Sequence, residues 1–312
     1  MTGASGFLGA RVVDALVRRG HEVRALVRPA TVLTLPDVVD AHRGDLRDPR
    51  AADEAVAGVD AVVHLAAQVE GSEEARFNGT VVATENLLES MSLAGVRRLV
   101  LASSYSVYDW SRVHGELDER GPLESEPDLY ERDGYAVAKV WQERVVRRAA
   151  DRGELALTVL RPGYIWGAGN RVIDGAGVRL GGVRLVFGPL GTLPLTHVEN
   201  CADCFAAAVE SDAAAGATLN VVDPSAVRTW RYVVDVDRAA LRVPVPYAFA
   251  LAAVRVVHAV ARLLLGERMR LPSIFVPRRF EARFKPVRTS GVELERVLGW
   301  RPPLSYEEAL RR

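Results

Sequence analysis

The sequence predicts an α/β fold: a doubly wound parallel sheet with helices on both faces and a small C-terminal lobe. Three observations predict it. First, short branched apolar runs, HEVRALV (21–27), AVVHLAA (61–67), RLVLAS (98–103) and LALTVLRP (155–162), alternate with helical patterns near 7–19, 49–57, 74–94 and 134–151. Strands separated by helix-length segments need crossovers, which makes them parallel and covers both sheet faces. Second, a glycine-spaced turn opens the chain. Third, the alternation loosens beyond about Leu160, where Gly163, Gly167, Gly169, Gly175, Gly177, Gly181 and Gly182 crowd together. The expected division is residues 1–160 for the sheet domain and 161–312 for the lobe. No linker separates them, so the lobe is expected to interleave with the sheet.

Composition narrows the classes. The chain has 312 residues, 49% hydrophobic and 26% charged, as in ordinary soluble globular proteins. Forty basic residues balance forty acidic ones, which gives no electrostatic reason to expect a nucleic-acid partner. Two cysteines cannot build a disulfide framework, and the opening residues do not resemble a secretory signal. Both features point to the cytoplasm. His197, Cys201 and Cys204 are close enough to suggest a metal site but lack a fourth ligand nearby. With Cys201 and Cys204 at i and i+3 beside Phe205, they read as the packed face of a helix. Residues 245–265 are long and apolar enough to span a bilayer. Arg255, His258 and Arg262 fall on one helical face, however, so the segment reads as an amphipathic helix packed on the protein, and no transmembrane span is expected.

The opening turn, Thr2-Gly3-Ala4-Ser5-Gly6-Phe7-Leu8-Gly9, has the spacing G-x-x-G-x-x-G. Glycines at Gly3, Gly6 and Gly9 permit a tight turn and close approach of a dinucleotide's pyrophosphate. The helix starting near Phe7 would aim its first amides, with those of Ser5 and Leu8, at the phosphates. Such a loop normally follows the central strand of the sheet, and only Met1 precedes it here, so the first strand reads as truncated. The strand ending at Val27 is followed by Arg28 rather than an acid. An acid would grip a ribose 2′-hydroxyl, whereas a guanidinium suits a 2′-phosphate, so NADP(H) is favoured, with NAD(H) as the alternative. Asp45 and Leu46 lie where a loop could meet adenine.

Tyr135 and Lys139 form Y-x-x-x-K on a predicted helix, one turn apart on one face. They follow a strand that ends at Ser103-Ser104. Hydride transfer at a carbinol carbon must be coupled to proton transfer at its oxygen. Free tyrosine has a pKa near 10, and bringing it towards 7 takes roughly 4 kcal/mol. A unit charge at about 4 Å supplies that much at an effective dielectric of about 20. Lys139, helped by the positive charge of an oxidised nicotinamide, is therefore expected to lower Tyr135, while Ser104 donates a hydrogen bond to the oxygen where charge develops.

The stretches TGASGFLG, VRALVRP, RGDLRDP, VDAVVHLAA, VLASSYSVY, YAVAK, LRPGYIWG and LGWRPPLSYEEAL together resemble the extended short-chain dehydrogenase/reductase family, also called the NAD-dependent epimerase/dehydratase family. The resemblance implies a Rossmann-type sheet and a catalytic trio of Ser104, Tyr135 and Lys139. Val107 and Tyr108 single out Ser104, with Ser103 as its structural neighbour. Leu65, Ala66 and Ala67 would flank the cofactor riboses, and His64 reads as a buried histidine. Lys139 and Pro162 join the implied cofactor contacts. A homodimer through the helices 74–94 and 134–151 is also implied. One departure is Thr80, which stands where the family often has Asn.

Three classes compete: a reductase or dehydrogenase acting on a small apolar ketone or alcohol, a nucleotide-sugar epimerase, and a non-catalytic sensor. Tyr105 and Ser106 follow Ser104 where dehydratases carry acids. Tyr164 and Leu193 stand where epimerases place diphosphate contacts. Arg28 and the apolar segment 245–265, as a wall for an apolar substrate, resemble the hydroxysteroid dehydrogenase and dihydroflavonol reductase branch. The reductase reading is therefore preferred over the epimerase, and the intact trio argues against a sensor.

Overall fold

A computed structural model of the chain describes residues 1–32, 35–237, 241–266 and 270–312, with the Leu265 side chain excepted. Among the described residues, six strands form the central sheet: β1 (Arg24–Val27), β2 (Asp40–Arg43), β3 (Ala61–His64), β4 (Arg98–Ala102), β5 (Ala156–Pro162) and β6 (Thr218–Val221). All pair in parallel, β2 with β1 on one side, and β3, β4, β5 and β6 in sequence on the other. Between β1 and β3 lie only Met1 and Thr2. Thr2 bridges both Leu26 and His64, donating its amide to Val63 and accepting from Leu65, while Leu26 donates to Met1. These two residues are all that stands in the first-strand position.

Five helices cover the sheet: α1 (Phe7–Arg18), α2 (Pro49–Val56), α3 (Ala83–Leu93), α4 (Gly134–Asp151) and α5 (Val198–Glu210). Period-two alternation sends Val100 and Ala102 of β4 to one face, and Leu99 and Leu101 to the other. The first face packs against Val12, Val13 and Leu16 of α1 and Cys201, Cys204 and Phe205 of α5. The second packs against Val56 of α2, Leu87 and Met91 of α3 and Val146 of α4. The expected packing role of the two cysteines holds: both are free, fully buried thiols, and burial pushes their pKa values upward.

The sequence predicts one helix over 74–94, but the structure breaks it into Glu73–Phe77, a wide turn over Asn78–Val82, and α3. The hydroxyl of Thr84 donates back to Thr80 O at 2.6 Å, and Thr80 Oγ1 accepts from the Gln68 amide at 2.9 Å. Side chains competing for backbone groups open the turn at the point where it passes the loop after β3.

The boundary drawn at residue 160 falls inside β5, and α5 and β6 return to the sheet domain after it. The rest of the lobe is built on strands Val178–Leu180, Val183–Phe187 and Leu241–Val245, with α6 (Tyr247–Leu265) and α7 (Pro277–Phe284) beside them. Aromatic clusters fill it: Trp166 with Tyr232 and Tyr306, and Phe187 with Phe280 and Phe284. The C-terminal end of β4 borders a cleft at the C-terminal edge of the sheet, where such folds bind ligands.

At the opposite edge a groove of about 880 Å³ opens between β1 and β3, bordered by Met1, Leu16, Val23, Val63 and Val209. An engineered extension of about five apolar residues ahead of Met1 is predicted to pair along both flanking strands. It should raise Tm by at least about 2 °C, the shift expected for about 1 kcal/mol in a domain of this size. Thermal melts of the two forms check this, and equal midpoints would show that the flanking strands do not accept a partner there.

Candidate functional site

The glycine turn is held by contacts that leave no room for side chains. Gly3 has φ +69°, and a Cβ there would meet Ala66 N at 2.8 Å. A Cβ on Gly9 would meet Gly3 O at 1.9 Å, so α1 packs directly on the loop that precedes it. Gly6 caps α1 with extended backbone (φ −77°, ψ 171°) and no side chain bonded to the first turn, which also contains no acid. The opening amides of this twelve-residue helix thus face the cleft with their positive dipole end unneutralised.

The cleft measures about 410 Å³. The glycine turn from Gly3 through Ser5, Gly6, Phe7 and Leu8 to Gly9 forms its floor. Arg28, Asp45 and Leu46 line one end, Leu65, Ala66 and Ala67 the middle, and Tyr135 and Lys139 the far end. Pro162 is buried at the end of β5 and does not line it. Sequence reasoning missed Gln68, Arg47 and Ser103, which do line it. Their neighbours carried the signal, since each lies within two residues of an expected contact.

At the Arg28 end, the exposed guanidinium approaches Gln68 Oε1 at 3.5 Å. Asp45 is gripped by Arg47, which donates Nε at 3.0 Å and Nη2 at 2.6 Å together with its backbone amide at 2.9 Å. These bonds hold the Asp45 carboxyl below its ordinary range, and both Arg28 and Arg47 line this end of the cleft.

At the far end, α4 begins where Asp133 accepts from Ala136 N at 2.9 Å, and it carries Tyr135, Lys139 and Glu143 at successive turns. The Ser104 hydroxyl lies near the Tyr135 phenol and accepts from Ser106 N at 3.1 Å. Lys139 Nζ donates to Ala102 O at 2.6 Å and to Gln142 Oε1 at 2.7 Å. Burial drives Lys139 down to about 7, against the pull of Glu143. Burial raises Tyr135 above the ordinary tyrosine value, against the opposing effect of the Ser104 hydroxyl. Lys139 by itself therefore does not lower Tyr135. The amine is itself stripped of water and its bonds go to Ala102 and Gln142, so burial governs the phenol.

His64 is a buried network residue, as expected. Its Nδ1 meets Thr2 Oγ1 at 2.7 Å and its Nε2 meets Thr84 Oγ1 at 2.8 Å, and burial lowers it to about 3. Because the Thr84 hydroxyl donates to Thr80 O, Nε2–H donates to Thr84 and Nδ1 accepts from Thr2. Gln142 Nε2 also donates to Thr84 Oγ1 at 2.9 Å, which links this network to Lys139.

Behind the serines, Ser103 Oγ donates to Glu143, which also receives Arg147 and the fully buried Arg161. Arg161 in turn donates to the Tyr108 hydroxyl at 3.0 Å, and that hydroxyl donates to Asn220 Oδ1 at 2.7 Å. Burial alone would raise Glu143, yet the bonds and charge of Arg161 bring it down to about 2. The segment 245–265 forms α6 as expected, but none of its residues lines this cleft.

A parallel sheet with a glycine turn capping its first helix, and Tyr and Lys one turn apart beside a strand-end serine, defines a Rossmann-type dinucleotide-binding protein. Residues 1–222 match the model of the NAD dependent epimerase/dehydratase family, and the chain belongs to that family. It is 35% identical over 212 residues to a 2-alkyl-3-oxoalkanoate reductase of Stenotrophomonas maltophilia (strain K279a), covering 65% of this chain and 62% of that one. It is 34% identical over 184 residues to a 3 beta-hydroxysteroid dehydrogenase/Delta 5-->4-isomerase of Mycobacterium tuberculosis, covering 55% of this chain and 48% of that one. The matches thus span between about half and two thirds of these relatives. The fold resembles the Thermus thermophilus UDP-glucose 4-epimerase in complex with NAD, at 22% identity and a TM-score of 0.68 over 99% of this chain and 95% of that one.

The crowding at Gly9 yields a prediction. Gly9→Ala should destabilise the protein by about 1–3 kcal/mol, because the new methyl must displace the Gly3 backbone. Urea unfolding measures this, and an unchanged midpoint would show that the turn relaxes freely.

Proposed function

We propose that this protein is an oxidoreductase that transfers hydride between a nicotinamide dinucleotide and the carbonyl or secondary alcohol carbon of a small, apolar substrate. The observation that carries the reading is the Tyr135 phenol, near Ser104 and one helical turn from Lys139, at the end of a glycine-floored cleft. The reductase and dehydrogenase among the relatives support it. The cytoplasm is the proposed location, and α3 and α4 the proposed faces of a homodimer.

The residues present fit a dinucleotide. The uncapped start of α1 and the amides from Gly3 to Gly9 suit a diphosphate, and the exposed Arg28 suits a 2′-phosphate, which favours NADP(H). Asp45 and Leu46 would border adenine, Leu65 to Ala67 the riboses, and Lys139 the ribose next to nicotinamide. Pro162 would act only as the backing of that end. When bound, the cofactor supplies or accepts the hydride.

The protein's own part is proton transfer. A phenol held above the usual tyrosine range is protonated at neutral pH, which suits donation to a carbonyl oxygen during reduction. Ser104 donates a hydrogen bond to the same oxygen, and the Lys139 cation stabilises the phenolate that remains. Tyr135→Phe is predicted to remove nearly all turnover while leaving dinucleotide affinity near wild type. Steady-state rates and a binding titration check this, and retained turnover would refute the assigned proton donor. Since Lys139 loses its charge as pH rises through about 7, the rate of ketone reduction should fall through that window, and a flat profile from pH 6 to 9 would contradict its role.

The class is tested by redox balance. A reductase consumes its cofactor stoichiometrically, whereas an epimerase returns it unchanged. Net NADPH oxidation with a panel of apolar ketones is the expected result. Silence on that panel, with interconversion of a UDP-hexose, would reverse the assignment in favour of the epimerase reading.

Arg28 decides cofactor choice. Charge-assisted bonds to a 2′-phosphate contribute roughly 1.5–3 kcal/mol, so NADP(H) should bind at least about tenfold tighter than NAD(H). Arg28→Asp should abolish that preference by adding repulsion to lost attraction. Dissociation constants for both cofactors at one salt concentration decide it, and a wild-type preference for NAD(H) would make Arg28 an ordinary surface residue.

A further inference from the structure

The helix α6 breaks the usual rule for a surface helix. Such helices turn an apolar stripe to the core and polar residues to water. The stripe of α6 that packs on the lobe is Ala250, Leu251 and Val254, set against α7. The stripe on the opposite side is also apolar: Phe249, Ala253, Val256, Val260 and Leu263 recur at helical spacing and face solvent. Phe249 is 76% exposed and Leu263 83%. Only 11% of the window Tyr247–Leu264 is buried, although its mean hydropathy is 1.6. A helix anchored along one side to α7 does not cross a bilayer, but its free side is shaped to lie on one.

Charge identifies the occupant. The helix contains Arg255 and Arg262 and no acid. Residues 241–285 hold nine Arg and Lys against two Asp and Glu, whereas the remaining chain holds 31 against 38. Of those two acids, Glu281 is buried and paired with Arg255, and Glu267 lies outside the described residues. Acids from outside this segment pair with several of its cations, Arg278 with Asp109, Glu124 and Glu131, Arg283 with Asp174 and Arg270 with Glu73, so the positive excess beside the apolar stripe is modest and lies with a helix that carries two arginines and no acid. A second copy docking face to face through this stripe would set like charge against like charge. An anionic lipid surface complements both features: the apolar stripe enters the acyl boundary, and the arginines stay among the headgroups.

We propose that the protein binds peripherally to anionic membranes through the solvent-facing stripe of α6. This binding is independent of the reaction proposed above. The test is flotation of the full chain with vesicles of phosphatidylcholine alone and of phosphatidylcholine with 30% phosphatidylglycerol. The anionic vesicles should retain at least about tenfold more protein, and 0.5 M salt should weaken that retention. The double variant Phe249→Glu with Leu263→Glu should lose the retention by a similar factor. Its fold is checked by circular dichroism, and folding should persist because both side chains already lie in water. No retention on either vesicle, equal retention on both, an unaffected folded variant, or a solution dimer that this variant splits would each overturn the proposal.

Discussion

The site depends on a buried ion pair that stands behind the cleft rather than lining it. Glu143 on α4 and Arg161 on β5 meet out of water, and Ser103 at the end of β4 joins them. Three elements therefore converge on one carboxylate. Tyr135 and Lys139 lie two turns and one turn before Glu143 on the same helix, so the pair fixes how far the phenol stands from Ser104. A buried pair is poor evidence for net stability, because desolvation offsets much of the attraction. It does impose a register, since removing either partner leaves an uncompensated charge. Arg161 extends that register through Tyr108 to Asn220 on β6, which ties the sheet's edge strand to the same point.

Two buried networks thus serve one helix from opposite sides. The Glu143 network fixes its position against the sheet. The network of His64, Thr84 and Gln142 takes the Lys139 amine and connects it to the loop after β3, whose residues 65–67 border the cleft. Both networks exclude water, and that explains the phenol above its usual range and the amine well below its own. The site is arranged to keep a neutral phenol beside an amine that titrates near neutrality, a pairing suited to passing one proton.

The parts of this arrangement that are local in the chain were legible in the sequence. The glycine spacing, the tyrosine and lysine one turn apart, and the four apolar strands all announce themselves within a few residues. Parts made by distant partners were not legible. Glu143 and Arg161 are 18 residues apart on different elements, and nothing in either neighbourhood marks them as partners. Strand β2, read as DAHR, is a mostly exposed edge strand and carries no apolar alternation. Segment 245–265 forms the expected helix, but its solvent-facing side is apolar as well, and its described residues do not line the cleft. Periodicity shows which residues share a face, and it does not show which face meets the protein. Arg47 was missed for a similar reason, because its grip on Asp45 depends on a turn formed only in the fold.

A double-mutant cycle on Glu143→Gln and Arg161→Met, read by urea unfolding, tests the dependence on the buried pair most directly. Each single variant should lose about 3–5 kcal/mol, because its partner is left charged in a dry interior. The double variant should lose much less than the sum, giving a coupling above about 2 kcal/mol. Losses that add to within about 0.5 kcal/mol would mean that the two residues stabilise their elements independently, and that the register of the Tyr135 helix rests on something else.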